Sequence, residues 1–450
     1  MENLKDTIVA ISTGSTNGAI SIVRMSGEKA TEIADKLFIS NKNKRPSTFM
    51  ARYMELGTIT TKNFKEQAIC VVFRAPNSYT GENLIEIQCH GGLKIAQGIL
   101  EECMKHGARL ANNGEFTKRA FINGKMSLAS AEGVMDMINA ESDAQVRAGY
   151  DLLSGTLSKE ALHLQNELTD ILSDIEVSFD YPEEEIEYIT KTKVQERLQK
   201  MSEQLNRYIA TADTGKILSG GINVLIVGKP NVGKSSLLNA LLARERAIVT
   251  NVPGTTRDTV EDSFSINGIK VNIIDTAGIH ETSDFVEKIG VEKSKQLINK
   301  ADIVLFVTDG SAKETKEDVE IFNLIKTKPY IKVVNKADIG IVAKAFDKNT
   351  IVISSIKRTG IEDLKQKIYQ EFENPNIMES GIIITNTRHK QALEEAYNHI
   401  ISALGAIEDQ TLDLVSIDLK LAYSALGEIT GNTTGEDIID AIFSKFCLGK

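Results

Sequence analysis

The chain has 450 residues, 42% of them hydrophobic and 25% charged, with a formal net charge of −10. That length holds two to four domains with their own cores, and the acidic balance argues against tight nucleic-acid binding by the chain as a whole, because phosphate neutralisation needs clustered Lys and Arg. No apolar run approaches ~18 residues, so no membrane span is expected; the polar start Met1–Asp6 predicts no signal peptide and a cytoplasmic protein.

From Thr7 to about Phe116 the pattern favours strands. The segments Thr7–Ile11, Gly18–Val23, Tyr53–Ile59, Ala68–Phe73 and Leu84–Gln88 are short, rich in β-branched residues and bounded by Gly, Pro or Asn. Helical stretches are expected between them at Glu28–Phe38 and Gly92–His106, which gives an α+β domain over residues 1–118. From about Ser127 to Leu218 the period becomes that of a helix, with Leu164, Leu168, Ile171, Leu172 and Ile175 on one face. Asp180-Tyr181-Pro182 breaks the run, and Glu183–Glu185 suits the first turn of a new helix. Residues 119–215 thus read as helical, residues 216–378 as a nucleotide-binding α/β domain, and residues 379–450 as helical again, with Ala392, Ala396, Ile400, Ala403 and Leu404 sharing a face. The expected fold class is multidomain: an α+β N-terminal domain, an α-helical domain, and a P-loop α/β domain inserted into the helical one.

The insertion carries the most informative motif. Gly228-Lys229-Pro230-Asn231-Val232-Gly233-Lys234-Ser235 follows the apolar strand Ile222–Val227 and precedes the helix start Ser236–Leu242. This is the G-x-x-x-x-G-K-S/T phosphate loop, in which backbone N–H groups face the phosphates, Lys234 reaches the β- and γ-phosphates and Ser235 offers its hydroxyl to Mg²⁺. Asn335-Lys336-Ala337-Asp338 closes the strand Ile331–Val334 about 100 residues later. A carboxylate there accepts two hydrogen bonds from the N1 and N2 edge of guanine, which adenine cannot supply, so the nucleotide is GTP. Asp275-Thr276-Ala277-Gly278 is placed to hold Mg²⁺ through water and to meet the γ-phosphate, and Gly254–Asp258 is the expected first switch, with Thr256 completing the Mg²⁺ shell. Ser354-Ser355-Ile356 is expected to back the guanine.

After Asp275–Gly278 stands Ile279, where Ras-like enzymes carry a Gln that orients water. Ile cannot do so. Asn231 offers an amide oxygen to a monovalent cation, and a K⁺ among the phosphates would do the electrostatic work of an arginine finger. Glu287 is a candidate for water orientation, with a solvated helix charge as its alternative; Arg257 is a candidate finger, with a switch-loop salt bridge as its alternative.

Cys70, Cys89, Cys103 and Cys447 form no C-x-x-C pair, so neither a disulfide framework nor a zinc site is expected. Cys447 stands in the terminal Cys447-Leu448-Gly449-Lys450. It reads as either a packed small hydrophobe or a reactive thiol. The basic clusters Lys42–Arg45 and Lys118-Arg119 are expected to be solvated faces.

Taken together, Gly228–Ser236, Gly254–Asp258, Asp275–Gly278, Asn335–Asp338 and Phe443–Lys450 resemble the MnmE/TrmE family of tRNA modification GTPases. So do Asp6–Ala10, Tyr79–Glu82, His90–Gly92 and Gly114–Phe121, and the resemblance runs the whole length. It implies an N-terminal folate-binding domain that dimerises and holds a tetrahydrofolate derivative as one-carbon donor, at Arg24, Glu82, Lys125 and Lys450. It also implies a K⁺ held by Asn231 with Thr250, Val252 and Thr255, and GTP contacts at residues 231–236, Thr250, Thr255, Thr256, Asp275, Thr276, Ala277, Gly278, Asn335, Lys336, Asp338 and Ser354. Glu287 matches the catalytic carboxylate and Cys447 the family's C-terminal Cys. The implied reaction is modification of carbon 5 of the wobble uridine (U34) with aminomethyl or carboxymethylaminomethyl groups, in a complex of a homodimer with an FAD-dependent protein of the MnmG/GidA type. A ribosome-assembly GTPase of the Era type is the alternative. That class usually carries a G-x-x-G RNA module or tandem G domains, and neither is present in this sequence.

Overall fold

The protein is described by a computed structural model over residues 6–14, 18–180, 184–242, 262–274, 296–342, 347–372, 382–407 and 412–450. The chain forms two compact units: residues 1–138, 149–202 and 392–450, and residues 139–148 and 203–391. The second unit thus interrupts the first in sequence.

The first unit opens on a seven-stranded sheet made of β1 (Ile8–Ile11), β2 (Ile20–Ser26), β3 (Phe38–Ser40), β4 (Met54–Thr60), β5 (Lys65–Phe73), β6 (Leu84–His90) and β7 (Arg109–Leu110). Their order is β3-β4-β5-β6-β2-β1-β7, antiparallel except for the β1–β7 pair. Alternation along β2 and β6 sorts the faces. Val23, Met25, Ile85, Ile87 and Cys89 pack with the helices Ala30–Leu37 and Leu93–Lys105 in one core. Ile8, Ala10, Ala111 and Phe116 form a smaller cluster. Cys70, Cys89 and Cys103 are core side chains, and burial pushes their thiols up to about 12, about 11 and about 12. The first helix stops one residue short of the expected Phe38, which is extended (φ −118, ψ 137) and begins β3. The expected end of the N-terminal domain, at 118, falls within the helix Glu115–Ile122.

The helical part of the same unit packs the helix Thr156–Asp180 along Leu412–Thr430. Leu164, Leu168, Ile171 and Ile175 are buried, as their spacing predicts, together with Val415, Leu419, Ala422, Leu426 and Ile429. Gln165, itself buried, donates to the Tyr423 carbonyl at 2.9 Å, so this core carries one satisfied polar tie. At its C-terminal end Phe443 and Phe446 pack with Leu128 and Ala131.

The second unit is a six-stranded sheet made of β8 (Ile222–Val227), β9 (Ser263–Ile266), β10 (Ile269–Ile274), β11 (Ile303–Asp309), β12 (Tyr330–Asn335) and β13 (Thr350–Val352). The order is β13-β12-β11-β8-β10-β9, parallel except for the edge strand β9. A parallel sheet is covered on both faces, so its strands read as near-continuous apolar runs. Val224, Ile226, Leu305 and Val307 enter one core; Leu225, Val227, Val304 and Phe306 enter the other, with Ile321 and Ile325 of the helix Lys316–Ile325. Strand β8 sits between β11 and β10, so its C-terminal end opens at the place where strand order reverses, the usual ligand crevice of such sheets.

Candidate functional site

The phosphate loop leaves β8 with three residues at positive φ: Gly228 (155°), Asn231 (64°) and Gly233 (97°). Alternating handedness of this kind turns successive N–H groups toward one concavity and makes an anion cradle. A Cβ on Gly233 would lie 2.4 Å from Asn335 Nδ2, so no larger residue fits there. The helix Lys234–Leu242 starts at the end of the loop and adds its N-terminal dipole. Lys234 Nζ donates to the Gly228 and Lys229 carbonyls at 2.7 and 3.0 Å, so its ammonium lies inside the loop. Val232 is buried, Ser235 is the second residue of the helix, and Asn231 and Ser236 are exposed. Lys229 ties the outside of the loop to Asp318 at 2.8 Å, and Asp318 also caps the helix Lys316–Ile325 through Thr315.

The Asn335–Asp338 segment follows on from β12. Asn335 is 2% exposed, donates to the Val232 carbonyl at 2.9 Å and accepts from the Ser355 N–H and hydroxyl at 3.1 and 2.9 Å. Lys336, at φ 66°, pairs with Asp309 at 2.7 Å. Burial alone would raise the Asp309 carboxyl, but the Lys336 ammonium and Ser311 outweigh it and hold it at about 2. Ser354 donates to Asp338 Oδ1 at 2.5 Å; that bond, first among its neighbours' effects, keeps the carboxyl ionised below the usual range. Ser354 is also bridged to Thr359 through both backbone bonds, which fixes the loop behind Asp338. Ile356 points away, 77% exposed. Thr250, Val252, Thr255, Thr256, Arg257, Asp275, Thr276, Ala277, Gly278, Ile279 and Glu287 lie outside the described residues.

A second polar site lies on the β2–β6 face away from the larger core. Arg24 and Glu86 stand opposite each other in register, and the guanidinium donates to Glu86 Oε1 from Nε at 3.0 Å and Nη2 at 2.8 Å. Arg24 also stacks over Tyr79 and Phe116, with ring centroids at 5.6 and 5.8 Å. Glu82 accepts from Ser26 Oγ at 2.7 Å and faces Arg119 Nη1 at 3.2 Å. The Lys125 stem lies 3.4 Å from the position of a Cβ on Gly81. The C-terminal tail closes the site. Arg24 Nη1 and Ser12 Oγ reach the Gly449 carbonyl at 3.5 and 3.0 Å, and Phe116 N–H donates to the Lys450 carbonyl at 3.2 Å. Gly449, at φ 89°, passes so close to Ile11 that a Cβ would sit 2.4 Å from its carbonyl oxygen. Arg24, Glu82, Lys125 and the terminal residues are thus gathered on one side of the sheet, and Cys447 is exposed beside them in the chain. The expectation that Lys118-Arg119 forms a solvated basic face is overturned for Arg119. Only 1% of it is exposed, and three carboxylates, Asp6, Glu82 and Glu115, pair with its two terminal nitrogens. Lys42–Arg45 are exposed as expected.

A family model described as the MnmE helical domain matches residues 128–447, and one described as the GTP-binding protein TrmE N-terminus matches residues 7–125. The tRNA modification GTPase MnmE of Alkaliphilus metalliredigens is 44% identical over 459 aligned residues, covering 99% of this chain and 100% of the relative.

The chain belongs to the MnmE family of tRNA modification GTPases.

The relative of the same name from Clostridioides difficile is 43% identical over 99% of this chain and 100% of its own length. Among solved structures, Era of Aquifex aeolicus bound to GDP and AlF4⁻ is 31% identical over 40% of this chain and 66% of that chain, with a TM-score of 0.27. As an MnmE-family member this chain is a multidomain GTPase, and GTP is its nucleotide. Among the described residues no helix is long and apolar enough to cross a membrane.

Sequence reading of this MnmE-family chain missed Glu86, Arg119, Tyr79 and Phe116 as members of the second site. A signal existed for one of them. Arg24 on β2 and Glu86 on β6 lie at matching outward positions of adjacent strands, and opposite charges there form a cross-strand pair.

Proposed function

We propose that this chain is the GTP-hydrolysing subunit of the enzyme that modifies carbon 5 of the tRNA wobble uridine, U34, with aminomethyl or carboxymethylaminomethyl groups. In this reading it works in the cytoplasm as a homodimer with an FAD-dependent tRNA-modifying partner, and a tetrahydrofolate derivative is the one-carbon donor. The observation that carries the reading is the presence in one chain of two polar sites. One is a phosphate loop beside the Asp338 carboxylate, and the other holds Arg24, Glu82, Lys125 and the backbone of the C-terminal tail on one side of a sheet. Near-complete coverage of relatives named for tRNA modification supports it. The division into residues 1–118, 119–215, 216–378 and 379–450 belongs to the same proposal.

The residue types fit the groups. The Gly228–Gly233 cradle supplies N–H donors to phosphate, Lys234 neutralises the β- and γ-phosphates, and Ser235 with Thr256 would hold Mg²⁺, Asp275 acting through water. Asn231 sits at φ 64°, exposed at the rim of the loop, and would hold K⁺ together with Thr250, Val252 and Thr255. A monovalent cation supplies positive charge where an arginine finger would. Glu287 orients the attacking water in place of the side chain that Ile279 lacks. At the second site Glu82 accepts from the pterin N–H edge, and the cations meet the folate carboxylates. Cys447, exposed at the tail, is the nucleophile candidate.

The test is reconstitution with the FAD-dependent partner, a reduced folate and unmodified tRNA, read by nucleoside mass spectrometry. Modified uridine is expected with GTP and not with a non-hydrolysable analogue. Equal product with both nucleotides contradicts the coupling of hydrolysis to modification.

A further inference from the structure

We infer that Arg119 is the positioning residue that aims the Glu82 carboxylate at the pterin edge of a reduced folate, an inference that rests on the folate reading above. Arg119 is the largest fully buried side chain among the described residues, with 1% exposure. A buried guanidinium is expensive, and its Nε has no hydrogen-bond partner among the described residues. A Leu or Met would fill the same volume without that cost, so packing alone does not account for arginine here.

The bonding pattern accounts for it. Nη2 donates to Asp6 Oδ1 at 2.5 Å and Glu115 Oε1 at 2.9 Å, while Nη1 donates to the Asp6 carbonyl at 2.9 Å. Glu115 is itself clamped by Arg109 Nη1 and Nη2 at 3.1 and 2.7 Å and by the Asn112 N–H at 2.7 Å. The guanidinium plane is therefore fixed before it meets Glu82. Its remaining reach, from Nη1 to Glu82 Oε1 and Oε2 at 3.2 and 3.3 Å, spans both carboxylate oxygens. With Ser26 Oγ on Oε2, two donors set the rotation of the carboxylate plane, and 17% of the side chain stays open to solvent. A planar N–H/NH₂ edge needs a carboxylate held in its own plane, and pre-setting that rotation removes an ordering cost from binding. The same helix end ties itself to the Tyr79–Glu82 turn through Asn123 Nδ2 on the Thr80 carbonyl at 2.7 Å and runs on to Lys125 above Gly81. The helix Glu115–Ile122 and the turn that follows it thus carry both the residue that aims the acceptor and the neighbouring cation.

The experiment is calorimetric titration of the full chain with 5-formyltetrahydrofolate, for the wild type, Arg119→Lys, Glu82→Gln and the double variant, with GTPase rate as the fold control. Arg119→Lys keeps the charge but loses the guanidinium plane that Asp6 and Glu115 fix and that sets the direction of Nη1; it is expected to weaken binding about tenfold, and to cost nothing further when Glu82 is already Gln. Asp6→Asn, at a partly exposed position, loosens the same guanidinium and is expected to cost about threefold, again only when Glu82 is intact. Additive losses, or wild-type affinity in Arg119→Lys, overturn the inference and leave the folate reading standing. No binding by the wild type overturns both.

Discussion

Asn335 donates from Nδ2 to the Val232 carbonyl at 2.9 Å, so the strand end proposed to read the base is bonded directly to the loop proposed to hold the phosphates. Its Oδ1 accepts from both the N–H and the hydroxyl of Ser355. One buried amide thereby joins three loops. Asn335→Ala leaves a buried carbonyl and two donors unpaired, which costs about 1–3 kcal/mol. GTP affinity is expected to fall roughly ten- to hundredfold. Equilibrium binding of a fluorescent GTP analogue measures it, and unchanged affinity would show that the loops are held by their own backbones.

Asp338 Oδ1 accepts from Ser354 Oγ at 2.5 Å, and in the proposed reading the same carboxylate takes the guanine edge. Asp338→Asn removes the charged acceptor and presents an amide donor instead. GTP affinity is expected to fall at least about a hundredfold, while xanthosine triphosphate, with a carbonyl where guanine has its amine, should bind better than GTP. Competition titration with the two nucleotides decides the matter; a variant that still prefers GTP contradicts the role given to Asp338.

The cation reading of Asn231 has a control built into its backbone. Alanine at φ 64° adds conformational strain of about 1–2 kcal/mol, whereas glycine adopts that conformation freely. Asn231→Gly therefore removes the amide oxygen alone. The wild type is expected to hydrolyse GTP at least about tenfold faster in KCl than in NaCl, and Asn231→Gly to lose the difference. Equal wild-type rates in the two salts contradict the reading.

Asp309 titrates at about 2 in the folded protein, against an ordinary 3.8, because of the Lys336 ammonium. The unfolded chain therefore takes up its proton at a higher pH than the folded one. The stability contributed by the pair is complete above the ordinary value and is lost as pH falls toward about 2. Asp309→Asn should flatten the acid limb of the unfolding curve in that window and leave it unchanged near neutrality apart from a constant offset. Chemical unfolding followed across pH 2–6 reads both, and an unaltered acid limb contradicts the pairing.

Local chemistry made part of this molecule legible. The phosphate loop and Asn335–Asp338 are readable because each does its work through contiguous backbone or two nearby side chains, and the parallel strands β8, β11 and β12 are readable because burial on both faces leaves apolar runs. The helix faces at Leu164–Ile175 and Ala392–Ala403 follow from period alone. Strands β3 and β7, three and two residues long, are set by pairing partners rather than by their own propensity. Arg119 looked like half of a basic dipeptide, and only Asp6 and Glu82, brought in from distant positions to join Glu115 one turn away, make it a buried hub. The path of Gly449 against Ile11 depends on contacts more than 400 residues apart in sequence, which no window along the chain can contain.

The measurement that bears most directly on the whole account is nucleoside mass spectrometry of total tRNA from cells with and without this gene. The account predicts loss of the C5-aminomethyl-type wobble uridines, restored by the wild type and not by Asp338→Asn. An unchanged nucleoside profile in cells lacking the gene would contradict it.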